Sequence, residues 1–136
     1  MGNFSSIDIS ASGLFAQRAR LDAIANNIAN ANTSRTDQGG PYRRQEVILR
    51  AGSGGSEPGS RGVEVAGVVE SSDPPRMVYD PSNPDAGPDG RVAMPNLNIV
   101  EEMVDMITAT RAYEANVQAI TAARSMAAKA LEIGKG

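Results

Sequence analysis

Residues 98–131 read NIVEEMVDMITATRAYEANVQAITAARSMAAKAL, thirty-four positions without a glycine or a proline. Those two residues break helices, so their absence permits one continuous helix. Ile99, Met103, Met106, Thr110, Tyr113, Val117, Ile120, Arg124, Ala127 and Leu131 recur at alternating steps of four and three. That spacing is the seam of a coiled coil or bundle. Val100, Val104 and Ile107 widen the stripe in its first half. Pro95 precedes the run, Asn98 is a candidate N-cap, and Glu101 three residues on gives a capping-box pattern. Glu101, Glu102 and Asp105 at the start and Lys129 near the end complement the helix dipole. With Gly134 as a stop, a helix over 98–133 is expected, about 54 Å long.

The other end of the chain has a matching signal. Ile7, Leu14, Leu21 and Ile28 lie seven apart, with Ala11, Ile24 and Ala25 on the same face. A helix over 7–32 is expected, about 39 Å long. Its opposite face carries Asp8, Arg20, Asp22, Asn26 and Asn30. Between the helices, residues 34–93 hold 10 of the 14 Gly and 7 of the 8 Pro, so loops and short strands are expected there. Tyr42–Arg50, Val63–Val69 and Met77–Tyr79 are the Val/Ile/Tyr-rich runs. Asp89-Gly90 can join the last of them to Arg91–Met94 as a hairpin, and Gly52–Ser56 reads as a flexible linker. The chain thus divides into an N-terminal helical segment (1–33), a β/loop middle region (34–93) and a C-terminal long helix (94–136), an α+β class.

Composition removes many functions. The formal charge is −3, and 13 basic residues are dispersed among 16 acidic ones, so no basic face for nucleic acid is expected. There is no His and no Cys. The common metal-ligand sets, the usual general base near neutral pH and a thiol nucleophile are therefore missing, and no cofactor, metal or catalytic residue is expected. No apolar run approaches the roughly 20 residues needed to cross a bilayer. The first residues, MGNFSS, lack the features of a cleaved secretory signal.

Two long amphipathic helices surround a middle region poor in large side chains. Pairing them with each other hides one face of each, and the second stripe at Val100, Val104 and Ile107 stays uncovered. Exposed apolar surface of that extent marks an interaction site. Burying a Leu, Ile or Met is worth about 1.5–3 kcal/mol, so half a dozen per seam suffice to drive association. The alternatives are a closed helical adaptor binding one partner, or an enzyme using Glu101 and Asp105.

Specific residues narrow this field. Residues 25–33, ANNIANANT, resemble the N-terminal motif of the flagellar rod and hook axial proteins. Residues 98–107, NIVEEMVDMI, and 111–117, RAYEANV, resemble the C-terminal motif of the same family. Residues 40–44 (GPYRR), 68–70 (VVE), 79–84 (YDPSNP) and 90–96 (GRVAMPN) are similar to its proximal-rod members, another rod subunit being the near alternative. Arg35-Thr36-Asp37 departs from the Gly and aromatic often found there in the wider family. The resemblance implies a structural subunit of the periplasm-spanning rod, exported through the flagellar type III apparatus without signal cleavage. It also implies that the terminal helices form a coiled-coil-like layer with neighbouring subunits, and that copies of the chain and other rod proteins are its partners.

The expected interface residues are Ile7, Leu14, Leu21, Ile24, Ile28, Met103, Ile107, Tyr113, Val117 and Ile120 from the seams. Asn26, Asn27 and Asn30 join them through the resemblance, as amides that bond across helices. Arg43 and Arg44 read as a solvated strand edge or as a contact to an acidic neighbour.

Overall fold

A computed structural model describes residues 2–53 and 61–136, with side chains described from Ser6 onward; positions 54–56 of the expected linker lie outside the described residues. The elements are α1 (Gly2–Ala29), β1 (Gln45–Ala51), β2 (Val63–Glu70), β3 (Arg76–Tyr79), β4 (Arg91–Met94) and α2 (Ile99–Lys135). The fold is α+β, two long terminal helices with two small antiparallel hairpins between them.

Asn98 begins α2 as the sequence suggests. Its backbone is extended, and its side chain accepts a 2.9 Å hydrogen bond from the Val100 N–H. At the other end Gly134 is not the stop. The helix continues through it to Lys135, for a length of about 56 Å. The first helix is displaced from the expected 7–32: it starts earlier and stops at Ala29. Beyond that point the backbone tightens, with Ala31 N–H to Ile28 C=O at 3.3 Å and Thr33 N–H to Asn30 C=O at 3.1 Å. The Asn-rich run favours this, because short amide side chains compete with helical bonding.

The helices run antiparallel, since Asn27 meets Glu102 and Gly13 lies against Asn116. Their contact is made of small residues. Gly13, Ala16, Ala23 and Asn27 of α1 are buried, as are Glu102, Ala109 and Ala123 of α2, with Met106, Tyr113, Asn116 and Ile120 partly buried between them. The heptad row used inside the chain is thus 13–20–27 rather than the larger-residue row 14–21–28 beside it. Axial separation depends on the side chains at the contact, so Gly and Ala allow the closer approach and the larger residues fall to its margin. An added Cβ at Gly13 would sit 2.8 Å from the Asn116 amide.

The first hairpin packs on α1. β1 and β2 pair from Gln45↔Glu70 to Ala51↔Val63, with a break in register between Ile48 and Leu49. Ser12 pins it: its hydroxyl accepts from the Val63 N–H at 3.0 Å and donates to the Ile9 carbonyl at 2.6 Å. The second hairpin, expected from Asp89-Gly90, pairs Arg76↔Met94 through Tyr79↔Arg91. Its connection spans residues 80–90 and not a two-residue turn. Gly90 is left-handed there (φ 76°), and a Cβ would strike the Tyr79 ring at 2.8 Å. Ser34 and Arg35 hold this loop through Asp85, at 2.7 and 2.9 Å.

The core is slight. Its buried apolar residues among those described are Ala16, Ala23, Ile24, Ala31, Val92, Ala109 and Ala123. The accessible surface is 9382 Å². A compact monomer of 14.2 kDa would expose about 6,800 Å².

Candidate assembly surface

One buried polar cluster ties the helices to the first hairpin. The Asn27 side chain is fully buried and uses its whole capacity of two donors and two acceptors. Its Nδ2 donates to the Gln45 carbonyl at 2.9 Å and to Glu102 Oε2 at 3.1 Å. Its Oδ1 accepts from the Gln45 N–H at 2.9 Å and the Tyr42 hydroxyl at 2.8 Å. The amide therefore pairs with both backbone groups of Gln45, as a neighbouring strand would.

Glu102, with 1% of its surface exposed, receives Arg44 Nε on its other oxygen at 2.5 Å. Glu46 and Asp105 lie farther from the same guanidinium, at 3.7 and 3.8 Å. The hydrogen bond that Arg44 donates to Glu102 is the main reason that the Arg44 pKa lies above its ordinary value, against the opposing effect of burial. Burial raises the pKa of Tyr42, and the charges of Glu102 and Glu70 add to the rise. A buried carboxylate is tolerated when it is paired and hydrogen-bonded, which this one is.

This cluster changes the reading of several residues. Arg44 is neither a solvated strand edge nor free for an outside partner, because it is paired within the chain; Arg43 stays exposed. Asn27 does bond across helices, but from α1 to α2 of one chain. The Asn30 amide returns to the Asn26 carbonyl at 2.9 Å and receives Thr33 Oγ1 at 3.1 Å, a helix-end role. Asn26 remains exposed. Tyr42, Gln45 and the pairing of Glu102 escaped sequence reasoning. The available signal was Glu102 itself, a charge on the same heptad row as Ala109, Asn116 and Ala123.

The other expected interface residues form a gradient. Ile24 is buried, Tyr113 and Ile120 are partly buried between the helices, and Ile7, Leu14, Leu21 and Ile28 are partly buried in the row beside the contact. Met103, Ile107 and Val117 are exposed. With them stand Val100 (67% exposed), Val104, Met126, Leu131 (69%) and Ile133 (81%) on α2, and Phe15 (74%) on α1. The first hairpin adds Ile48, Val68 and Val69. Among the described residues no three His, Cys, Asp or Glu side chains are grouped to hold a metal, and no helix is long and apolar enough to cross a membrane.

A chain whose helix pair is sealed by Gly, Ala and one polar cluster, with its large apolar residues outside, has the form of an assembly subunit. Two family models match its ends: the flagella basal body rod protein family over residues 7–35, and the C-terminal region of the flagellar basal body rod FlgEFG proteins over 89–133. The fold and these matches define a flagellar basal-body rod protein.

Whole-chain relatives narrow the class. The flagellar basal-body rod protein FlgC of Borreliella burgdorferi is 46% identical, with all of both chains covered. FlgC of Bacillus subtilis is 42% identical over 99% of this chain and all of the relative. FlgC of Salmonella typhimurium is 40% identical over 94% of this chain and 95% of the relative. The chain belongs to the FlgC family of flagellar basal-body rod proteins.

Proposed function

We propose that this chain is a structural subunit of the proximal rod of the bacterial flagellum, one that polymerises through its terminal helices and catalyses nothing. The observation that carries this reading is the placement of apolar side chains: small residues seal the helix pair, and Val100, Met103, Val104, Ile107 and Val117 are left exposed on α2. Copies of the chain and other rod proteins cover that surface in the assembly, with Leu14, Leu21 and Ile28 contributing from the row beside the seam, Tyr113 and Ile120 through the parts that α1 leaves uncovered, and Asn26 from the polar end of α1. Contacts between unlike faces generate an open helical stack when the rotation between subunits does not close. Such a stack crosses the periplasm and passes torque from motor to hook. Subunits reach it through the flagellar type III export apparatus with no signal removed. Of the carboxylates an enzyme would use, Glu102 is consumed by Asn27 and Arg44.

The test is complementation of a motile bacterium that lacks its proximal-rod gene. The wild-type chain is expected to restore rods and swimming. Met103→Asp with Ile107→Asp, both on exposed positions, should leave the fold intact and abolish rod assembly. A wild-type chain that stays a stable cytoplasmic monomer and restores no rods would make the closed adaptor the better account.

A further inference from the structure

The chain has no cysteine, so its oxidisable sulfur is all thioether. Among the described residues Met94 and Met106 are partly buried, whereas Met77, Met103 and Met126 each expose more than half of their surface. Susceptibility to oxidation follows exposure, so these three are the described sulfurs that a peroxide reaches first. Their surroundings differ. On a helix surface the neighbours lie three and four residues away. For Met126 these are Ala122, Ala123, Lys129 and Ala130, while Met77 sits on the short strand β3. For Met103 they are Ile99, Val100, Met106 and Ile107, all large and apolar. At 100° per residue Val100, Met103, Val104 and Ile107 share about 100° of arc, and all four are exposed. Met103 is thus the described thioether that is both open to solvent and set within the apolar face of α2.

Resting on the rod-subunit reading, we propose that Met103 is an oxidation site that controls assembly: its sulfoxide, formed by a peroxide on the unassembled chain, keeps the apolar face of α2 from being buried, and reduction restores it. The thioether sulfur attacks one peroxide oxygen. The S–O bond forms as the O–O bond breaks, and the second oxygen leaves as hydroxide, which takes the remaining proton and becomes water. Sulfur is oxidised by two electrons and the peroxide is reduced by two. In the reverse step a dithiol sulfoxide reductase takes up the oxygen as water and becomes a disulfide. The sulfoxide places a strong hydrogen-bond acceptor where the side chains of Ile99, Val100, Met106 and Ile107 offer no donor. Burying an unpartnered polar group is unfavourable, so a contact that accommodates the apolar thioether opposes its oxidised form. Burial in the rod shields the sulfur, which confines the chemistry to free subunits.

The purified chain is treated with hydrogen peroxide, mapped by peptide mass and sedimented over a series of concentrations. Met77, Met103 and Met126 are expected to oxidise at least five-fold faster than Met94 and Met106, and the oxidised chain to need at least ten-fold more protein to associate. Methionine sulfoxide reductases should restore association. A chain with both Met77→Leu and Met126→Leu should keep the full sensitivity, whereas Met103→Leu should shift less than two-fold against its own untreated sample. Association unchanged while Met103 is oxidised overturns the inference. So does oxidation of Met106 as fast as Met103, or sensitivity that persists in Met103→Leu or vanishes in the double variant. Where the purified chain stays monomeric, rods answer the same question in a complemented strain that lacks sulfoxide reductases. Peroxide present while the chain is induced should lower rod number at least five-fold with the wild type and less than two-fold with Met103→Leu, each against its own unexposed culture. Equal losses overturn the inference and leave the rod role intact, and a wild-type chain that builds no rods without peroxide overturns the rod role itself.

Discussion

Asn27 shows how much one amide can do when every one of its bonding groups is used. An Asp there keeps the shape but loses the two donors and sets a second carboxylate against Glu102; a Leu loses all four bonds. Asn27→Leu is expected to destabilise the chain by about 2–4 kcal/mol, since several buried polar groups lose partners at once. Glu102→Ala removes the anion that neutralises Arg44 and should cost about 3–5 kcal/mol. Glu101→Ala, one residue away but exposed, should cost under about 1 kcal/mol. Urea unfolding of the three variants separates a structural carboxylate from a surface one, and equal costs at 101 and 102 would contradict the assigned roles.

Tyr42 adds a pH dependence at the same scale. Its folded pKa is raised above the ordinary 10.0, so the folded chain keeps the phenol proton to higher pH than the unfolded chain does. The associated stability is complete below pH ~10 and is lost as pH rises through the folded value. Arg44 has the same sign but acts at still higher pH. Tyr42→Phe should lose about 1 kcal/mol at neutral pH with its hydrogen bond to Asn27. Above pH 10 its unfolding midpoint should fall less steeply than that of the wild type. Parallel profiles from pH 8 to 11 would show that Tyr42 does not titrate with unfolding.

For the elements, the contact between α1 and α2 decides which side chains are left for other chains. Gly13 is the close point, with a prospective Cβ 2.8 Å from Asn116. Gly13→Leu should push the helices apart at a cost of about 1–3 kcal/mol. Phe15→Leu, on an exposed position, should be nearly neutral in the isolated chain. Thermal unfolding compares them directly. A seam of Gly and Ala slides easily, because small residues interlock weakly. The buried Asn27–Glu102 pair then selects one register, as a buried polar residue does in coiled coils.

Element existence was legible because the signals are local: a Pro/Gly-free heptad run, an Asn98 cap, and a turn-rich middle. The face that each helix turns towards the other was less legible. Two neighbouring rows, 13–20–27 and 14–21–28, both have seven-residue spacing, and apolar content alone favours the larger residues. Close approach reversed that order. The polar cluster was unreadable for a related reason, since it joins residues 27, 42, 44, 45 and 102, which only the tertiary fold brings together.

Taken as a whole molecule, the chain has a mismatch between length and core. Ile24 and Val92 are the largest apolar residues among those fully buried, and the rest of the described apolar core is Ala. Full burial of a large apolar side chain contributes about 1.5–3 kcal/mol, while each ordered backbone residue costs about 1–2 kcal/mol. Helices of 28 and 37 residues are thus held by a contact that offsets little of their ordering entropy. Most helical stability comes from packing, so much of theirs has to come from neighbours. A dilute monomer should have frayed helix ends and a broad thermal transition, and helix content at 222 nm should rise with protein concentration in step with association seen by sedimentation. Cooperative unfolding of a confirmed monomer, with a midpoint independent of concentration, would mean that the small-residue seam and its polar cluster suffice alone. The exposed stripe on α2 would then serve recognition and not stability.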